Sequence, residues 1–100
     1  MLARNTAHPR RQMIDDQVDQ LELADVLVAD GHDHAILGLV ELQNGVFVVA
    51  YSTKEILEGL VRDGMSYDEA QEYFDFNIKG AYVGPSTPVY IEDQHFEQYV

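Results

Sequence analysis

The chain has 100 residues, no cysteine and a formal net charge of −12 at pH 7. This length suits one domain with a modest core, and the lack of cysteine excludes disulfides and thiolate metal sites. No apolar run approaches the roughly 20 residues that span a bilayer, and the first residues lack the apolar stretch of a secretory signal, so we expect a cytoplasmic protein.

The acidic balance limits the partners that the chain can bind. Eighteen acidic residues oppose six basic ones, and three of the six (Arg4, Arg10 and Arg11) lie near the start of the chain. Because neutralising phosphates requires Lys and Arg, we expect no direct binding of nucleic acid. Two interpretations stay open. The charge either only keeps the protein soluble, or it matches a partner with a basic groove, such as one that normally holds nucleic acid.

The first segments are an arm and a weak helix. Residues 1–9 are polar and without periodicity, which predicts a flexible arm. Residues 10–22 predict a helix because Ile14 and Val18 fall on one face, with acidic side chains over much of the rest. This helix is either solvated and partly frayed, or it is an arm for docking or dimerisation.

A strand and a β-hairpin follow. Residues 24–29 (ADVLVA) predict a strand, and residues 34–51 predict a hairpin around Asn44-Gly45. An Asn-Gly pair favours a two-residue type I′ turn. That turn would place the following residues on one core face: Gly38, Val40 and Leu42 opposite Tyr51, Val49 and Phe47.

The other face of this hairpin is also apolar. It includes Leu39, Val48 and Ala50. We expect it to be covered by the N-terminal helix or by a second subunit, which makes a homodimer possible.

The next helix begins at a capping-box pattern formed by Ser52 and Glu55 and ends near Arg62. Its buried stripe is predicted to be Ile56, Leu57, Leu60 and Val61. Gly59 lies inside the helix, where glycine costs about 1 kcal/mol relative to alanine. A close helix crossing would explain it.

A second capping-box pattern, Ser66 and Glu69, begins a helix that runs to about Lys79, with Gly80 as the C′ residue that follows it. A last strand covers residues 87–91, and residues 93–100 form an acidic tail. The prediction is therefore an α+β domain over residues 10–92, with a weak N-terminal helix and then the order β-β-β-α-α-β. In it, a helical hairpin packs on one face of an antiparallel sheet.

Few residues in the chain indicate chemistry. His32 and His34 would share a face if a strand began at His34, which makes them weak candidates for binding a metal ion, but a polar turn between strands is the favoured explanation. Ser52 and Ser66 are explained as helix caps, and Ser86 lies in no nucleophile motif. No phosphate-binding loop is present. We therefore expect no enzyme activity and no cofactor.

The second long helix carries the clearest surface feature. Its carboxylates Asp68, Glu69, Glu72 and Asp75, here called the acidic stripe, fall close together at helical spacing. The opposite side, with Tyr67, Ala70, Phe74 and Ile78, is predicted to be core. Phe76 projects on the acidic side. Either it folds under a loop or the C-terminal tail, or it is an aromatic anchor for a basic partner.

Several short motifs resemble a group of small acidic proteins encoded by phages and prophages. They are Asp63-Gly64-Met65-Ser66, Glu69-Ala70, Glu72-Tyr73, Phe76-Asn77, Gly80-Ala81 and Thr87-Pro88-Val89. The resemblance covers roughly residues 34–91. It implies an α+β fold and a phage context. The group has no settled activity, so no catalytic residues are carried over.

This context raises the expectation of an anti-defence role. The first hypothesis is a non-catalytic inhibitor in the host cytoplasm. It would mimic nucleic acid and block a host nucleic-acid-binding machine, such as a CRISPR effector or a restriction enzyme, through Asp68, Glu69, Glu72, Asp75 and Phe76. The alternatives are an assembly module that oligomerises through a sheet face, and a metal-binding protein that uses His32 and His34.

Overall fold

The computed structural model describes residues 8–24 and 26–94, and these residues form a small α+β fold, as predicted. The elements in chain order are helix α1 (Pro9–Leu21), a 3₁₀ turn (Asp33–Ala35), strands β1 (Ile36–Glu41) and β2 (Phe47–Ser52), helices α2 (Thr53–Arg62) and α3 (Tyr67–Tyr73), a π-helical segment (Phe74–Lys79) and strand β3 (Val89–Ile91). Most of the predicted flexible arm and acidic tail lies outside the described residues.

Helix α1 packs against β1 and the 3₁₀ turn. Pro9 occupies the first helical position, and the backbone N–H of Arg10 donates to Nδ1 of His8 at 3.1 Å. Ile14 is buried in the core, and Val18 packs beside it. The predicted helix is confirmed, and it is part of the packed body rather than a solvated helix.

The strand predicted over residues 24–29 does not form in the part of that segment that the structure describes. Its side chains are still used, because Val26, Val28 and Ala29 pack against the buried core. The backbone N–H of Ala29 donates to the hydroxyl oxygen of Tyr51 at 2.7 Å instead of joining a strand ladder. A hydrogen bond to the Tyr51 side chain therefore takes the place of the strand pairing that the sequence pattern predicts.

The hairpin between β1 and β2 is confirmed, but its turn has three residues and not two. The N–H of Gly45 donates to the carbonyl of Leu42, and the N–H of Leu42 donates to the carbonyl of Val46, each at 2.8 Å. Gly45 has φ = +88°, a left-handed conformation that suits glycine. A three-residue loop that ends in such a glycine is a common hairpin connection.

The extra loop residue shifts the pairing by one, which exchanges the faces of β1. Leu39 lies opposite Val49 and Val40 lies opposite Val48, so the predicted pairs are wrong. Leu39 therefore packs against the core. Val48 and Ala50, predicted to share an oligomerisation face with Leu39, are already buried within the single chain.

The sheet has the order β1-β2-β3 and is mixed: the predicted antiparallel pairing is confirmed for β1 and β2, whereas β3 pairs with β2 in parallel. Parallel neighbours require a long crossover connection, which α2, α3 and the loop of residues 80–88 supply. The central strand β2 is buried from Val48 to Ser52, as expected of a strand covered on both faces. The direction of β3 depends on where the chain re-enters the sheet, and a local pattern does not encode that.

The start of α2 is capped, but not by the reciprocal box that the sequence predicts. The hydroxyl oxygen of Ser52 accepts from the N–H of Glu55 at 3.0 Å. The carboxylate of Glu55 instead accepts from the guanidinium of Arg10 at 3.1 Å. Asp93 completes the cap, because its carboxylate accepts from the hydroxyl of Ser52 at 2.5 Å and from the N–H of Lys54 at 2.9 Å.

Helix α3 begins with the complete capping box that the sequence predicts. The hydroxyl oxygen of Ser66 accepts from the N–H of Glu69 at 3.1 Å, and the carboxylate of Glu69 accepts from the N–H of Ser66 at 2.8 Å. After Tyr73 the helix widens into the π-helical segment, which was not predicted. Gly80 ends it, as predicted, and has φ = −81° rather than the left-handed conformation common at helix ends. A Cβ on Gly80 would lie 3.3 Å from the carbonyl oxygen of Asp75, which explains the glycine by close approach.

Candidate interaction site

The acidic stripe is exposed along α3 and the π-helical segment. Glu69 and Glu72 line a shallow groove of about 450 Å³ together with Phe76, and we call this the Phe76 groove. Asp68 and Asp75 are exposed but do not line it. The structure thus places two of the four carboxylates beside the aromatic ring and the other two outside that concavity.

Phe76 is 79% exposed, the largest value among the big apolar side chains of the described residues. No loop within residues 8–24 and 26–94 covers it, so the alternative of a covering loop is wrong, and most of the predicted tail lies outside the described residues. Phe74 and Ile78, two positions away on either side, are buried in the core. Helical geometry then directs Phe76 to the opposite side, so the packing of its neighbours fixes its exposure.

The stripe lies outside the ion pairs that Arg10 and Arg11 form. The ion pairs seen among residues 8–24 and 26–94 include Arg10 with Glu55, and Arg11 with Asp15 and Asp33. None of them involves a carboxylate of the stripe. Unneutralised charge of one sign attracts groups of the opposite sign over some distance. This face therefore favours cationic ligands.

The π-helical segment carries two of the exposed groups of this surface. Phe76 and Asn77 both belong to it, and both are exposed. π-helical turns are rare and are frequently found at functional sites, because their wider hydrogen-bond pattern is retained only where something requires it. The sequence carries no signal for this change, since an α-helix through Lys79 fits the same periodicity.

Sequence reasoning missed an apolar surface beside the stripe. Tyr73 is 41% exposed, Tyr82 is 76% exposed and Val83 is 63% exposed. Tyr73 and Val83 line a second groove of about 460 Å³, and Tyr73 is shared with the Phe76 groove. Contiguous exposed apolar groups of this kind mark interaction surfaces. The available signal was the pair Tyr82-Val83 in a loop, where polar residues are usual.

Two residues predicted to be core lie near a separate groove. Val61 is 41% exposed and Tyr67 is 54% exposed, so both predictions of burial are wrong. They line one concavity with Leu57. The hydroxyl of Tyr67 donates to the side-chain oxygen of Gln94, which holds the ring at the surface rather than in the core.

His32 and His34 are not arranged to bind one metal ion together. His34 lies in the 3₁₀ turn and not at the start of a strand, and its ring centroid is 6.3 Å from that of His32. Nε2 of His34 lies 3.1 Å from the carbonyl oxygen of Glu55. Because a carbonyl only accepts, this Nε2 carries a proton and cannot ligate a metal ion. No group of three or more potential His, Cys, Asp or Glu ligands occurs among the residues that the structure describes.

His32 is expected to make stability depend on pH. Burial lowers the pKa of His32, His34 lowers it further, and Asp33 and Asp63 act in the opposite direction. The folded chain therefore binds fewer protons at His32 than the unfolded chain when the pH lies between the two pKa values. The free energy of unfolding should fall as the pH decreases through the unfolded value of 6.5. His32→Gln should reduce this loss in urea unfolding series at several pH values, and an unchanged pH dependence would contradict it.

None of the helices within residues 8–24 and 26–94 is long and apolar enough to cross a membrane. No protein-family model, no curated protein and no solved structure matches the chain. The resemblance to the phage-encoded group stays a prediction. Function is therefore inferred from the surface described above.

Proposed function

We propose that this chain is a non-catalytic interaction protein that binds a basic groove on a partner protein, a groove that ordinarily holds nucleic acid. The contact residues are Asp68, Glu69, Glu72, Asp75 and Phe76. One observation carries the proposal: Phe76 is 79% exposed at a groove that is also lined by Glu69 and Glu72.

An exposed ring among carboxylates supports binding better than it supports folding. Phe76 contributes little to the core, because most of its surface stays in water. In an interface the same ring would bury that surface, and buried aromatic side chains supply much of the free energy of association. The surrounding carboxylates would raise the association rate and orient a cationic partner.

The net charge supports a basic partner and argues against direct binding of nucleic acid. In the phage context that the resemblance implies, the partner is a host defence machine, such as a CRISPR effector or a restriction enzyme, in the host cytoplasm. The acidic stripe takes the place of phosphates in its groove and excludes the nucleic acid. The chain then acts as a nucleic-acid mimic and inhibitor.

The proposal is tested by capture from a host lysate, followed by affinity measurement with the captured protein. We expect the partner to bind nucleic acid, and added DNA to compete with the chain for it. Phe76→Ala should weaken binding roughly thirtyfold, the cost of losing one hot-spot ring. Glu72→Lys with Asp75→Lys should weaken it at least about tenfold, and more at low salt than at high salt.

A matched variant separates position from net charge. Asp16→Lys with Asp19→Lys changes the charge equally, at exposed positions on α1. It should keep most of the affinity. If the two charge-reversed variants capture the same partner with the same salt dependence, the acidic stripe is not the binding surface. If DNA does not compete, the groove that binds the chain is not one that holds nucleic acid, and the proposed mimicry is wrong.

A further inference from the structure

A second groove, here called the Tyr73 groove, lies next to the Phe76 groove and has a volume of about 460 Å³. Buried Ile78 and Pro88 form part of its lining. Its polar lining comes from Asp30, His32, Tyr73, Asn77 and Tyr90. Tyr73 and Asn77 line both grooves, so the two form one continuous surface.

The polar groups of the Tyr73 groove are available to a ligand. The side chains of Asp30, Tyr73 and Asn77 form no hydrogen bond or ion pair with any residue in the described ranges. They are exposed, so water satisfies them in the free protein. An apolar lining with a few convergent, unpaired polar groups is the usual composition of a binding pocket.

One wall of the groove is rigid and aromatic. The ring of Tyr90 stacks on that of Tyr51, with centroids 5.7 Å apart, and meets the ring of Phe74 edge-on at 5.6 Å. Both supporting rings are buried in the core. The aromatic wall is therefore preorganised, and a planar ligand would lose little free energy in ordering it.

We propose that the Tyr73 groove receives the guanidinium group of an arginine side chain from the basic partner, an inference that rests on the proposed function. The carboxylate of Asp30 and the amide oxygen of Asn77 are acceptors that a guanidinium fork can engage. The tyrosine rings offer faces on which the planar cation stacks. Arginine suits this site better than lysine, whose ammonium is compact, strongly hydrated and cannot stack.

The charges around the groove agree with a cationic ligand. Asp30 and the net charge of −12 disfavour phosphates and carboxylates. The lowered pKa of His32 keeps its ring neutral at pH 7, so it does not repel a guanidinium. One partner segment could then contact the acidic stripe through several basic side chains and insert one arginine between Asp30 and Asn77.

Short synthetic peptides of glycine and lysine test the inference with the full chain. Three peptides differ only at the central position, which is arginine, lysine or citrulline, and fluorescence anisotropy measures their affinities. We expect the arginine peptide to bind about tenfold more tightly than the lysine peptide, and the citrulline peptide to bind most weakly. Asp30→Asn and, independently, Asn77→Ala should each reduce the preference for arginine over lysine to less than about twofold. Asp16→Asn, with the same charge change on α1, should leave the preference intact.

The outcomes separate this inference from the proposed function. In one outcome, the wild-type chain binds the arginine and lysine peptides equally, while Glu72→Lys with Asp75→Lys still weakens the binding of both. That result would refute the arginine site and leave the proposed binding by the acidic stripe intact. If Asp30→Asn and Asn77→Ala both keep the preference, the pocket lies elsewhere and the inference is overturned. If no peptide binds, or if reversing the stripe has no effect, the inference and the proposed function both fail.

Discussion

Replacing Arg10 with alanine is expected to lower the free energy of unfolding by about 2 kcal/mol, because charge-assisted hydrogen bonds from one side chain would be lost together. One guanidinium nitrogen of Arg10 lies 2.7 Å from the carbonyl oxygen of His34 and 3.2 Å from that of Ile36. The same nitrogen lies 3.1 Å from the carboxylate of Glu55. Arg10 therefore joins α1, the start of β1 and α2, three parts of the chain that are distant in sequence.

Arg11 provides the matched control for this prediction. Its guanidinium approaches only the carboxylates of Asp15, at 3.5 Å, and Asp33, at 3.7 Å, and it bonds no backbone carbonyl among the described residues. Such partly exposed pairs contribute at most about 1 kcal/mol, so Arg11→Ala should cost less than Arg10→Ala. Urea unfolding of the two variants measures the difference. Equal losses would show that charge alone, and not the bridging position of Arg10, sets the effect.

Gly59→Ala should destabilise the protein by about 2 kcal/mol, although alanine is the better helix former by about 1 kcal/mol. A Cβ on Gly59 would lie 2.6 Å from Nε2 and 3.0 Å from Cε1 of His34. The imidazole would have to move, and its hydrogen bond to the carbonyl of Glu55 would be lost. The close approach expected from the sequence is thus made by a histidine ring and not by another helix.

A double-mutant cycle isolates this contact. In a His34→Ala background the ring is gone, and the nearest other atom to the new methyl group is a guanidinium nitrogen of Arg62 at 3.6 Å, an ordinary contact. Gly59→Ala should then stabilise α2 by up to about 1 kcal/mol, which gives a coupling of about 3 kcal/mol between positions 34 and 59. A Gly59→Ala change of the same sign and size in both backgrounds would rule out the contact.

The α3 and π-helical segments allow binding to be separated from folding. Ala70, Phe74 and Ile78 pack into the core, whereas Glu72 and Phe76 face solvent. Substitutions on the solvent side should therefore change affinity with little effect on stability, since exposed side chains contribute about 0.5 kcal/mol or less to folding. This separation makes the stripe variants interpretable, because a loss of binding would not reflect unfolding.

The proposed interface also has two parts with different salt responses. Contacts of the acidic stripe with basic side chains weaken as salt is added, because the charges are exposed and screened. Burial of Phe76 and stacking in the Tyr73 groove depend less on salt. The affinity of the wild type should therefore fall as salt is added and level off at a salt-independent value. Phe76→Ala should lower that limiting affinity, and reversal of the stripe should reduce the dependence of affinity on salt concentration.

Part of the candidate site followed from local patterns. The periodicity of residues 66–79 places Ala70, Phe74 and Ile78 inward and Phe76 outward, and all four are found there. The Tyr73 groove was not predictable in the same way. It needs residues 27–32, 73–78 and 81–90 to meet, and those segments share no periodicity that would reveal the contact.

Local sequence patterns were enough to predict the α+β class, the helices, the capping box of α3, the hairpin and the acidic surface, because these depend on interactions between residues a few positions apart. The hairpin register followed from a three-residue turn that the Asn-Gly pair does not distinguish from a two-residue turn. The direction of β3, the backbone of residues 26–29 and the close contact at Gly59 were set by tertiary contacts. Each of these last three depends on a part of the chain that is distant in sequence. The Tyr51 hydroxyl bonds the N–H of Ala29, the crossover through α2 and α3 sets the direction of β3, and His34 fills the space beside Gly59. Local propensity cannot encode these contacts, since their partners become neighbours only when the chain has folded.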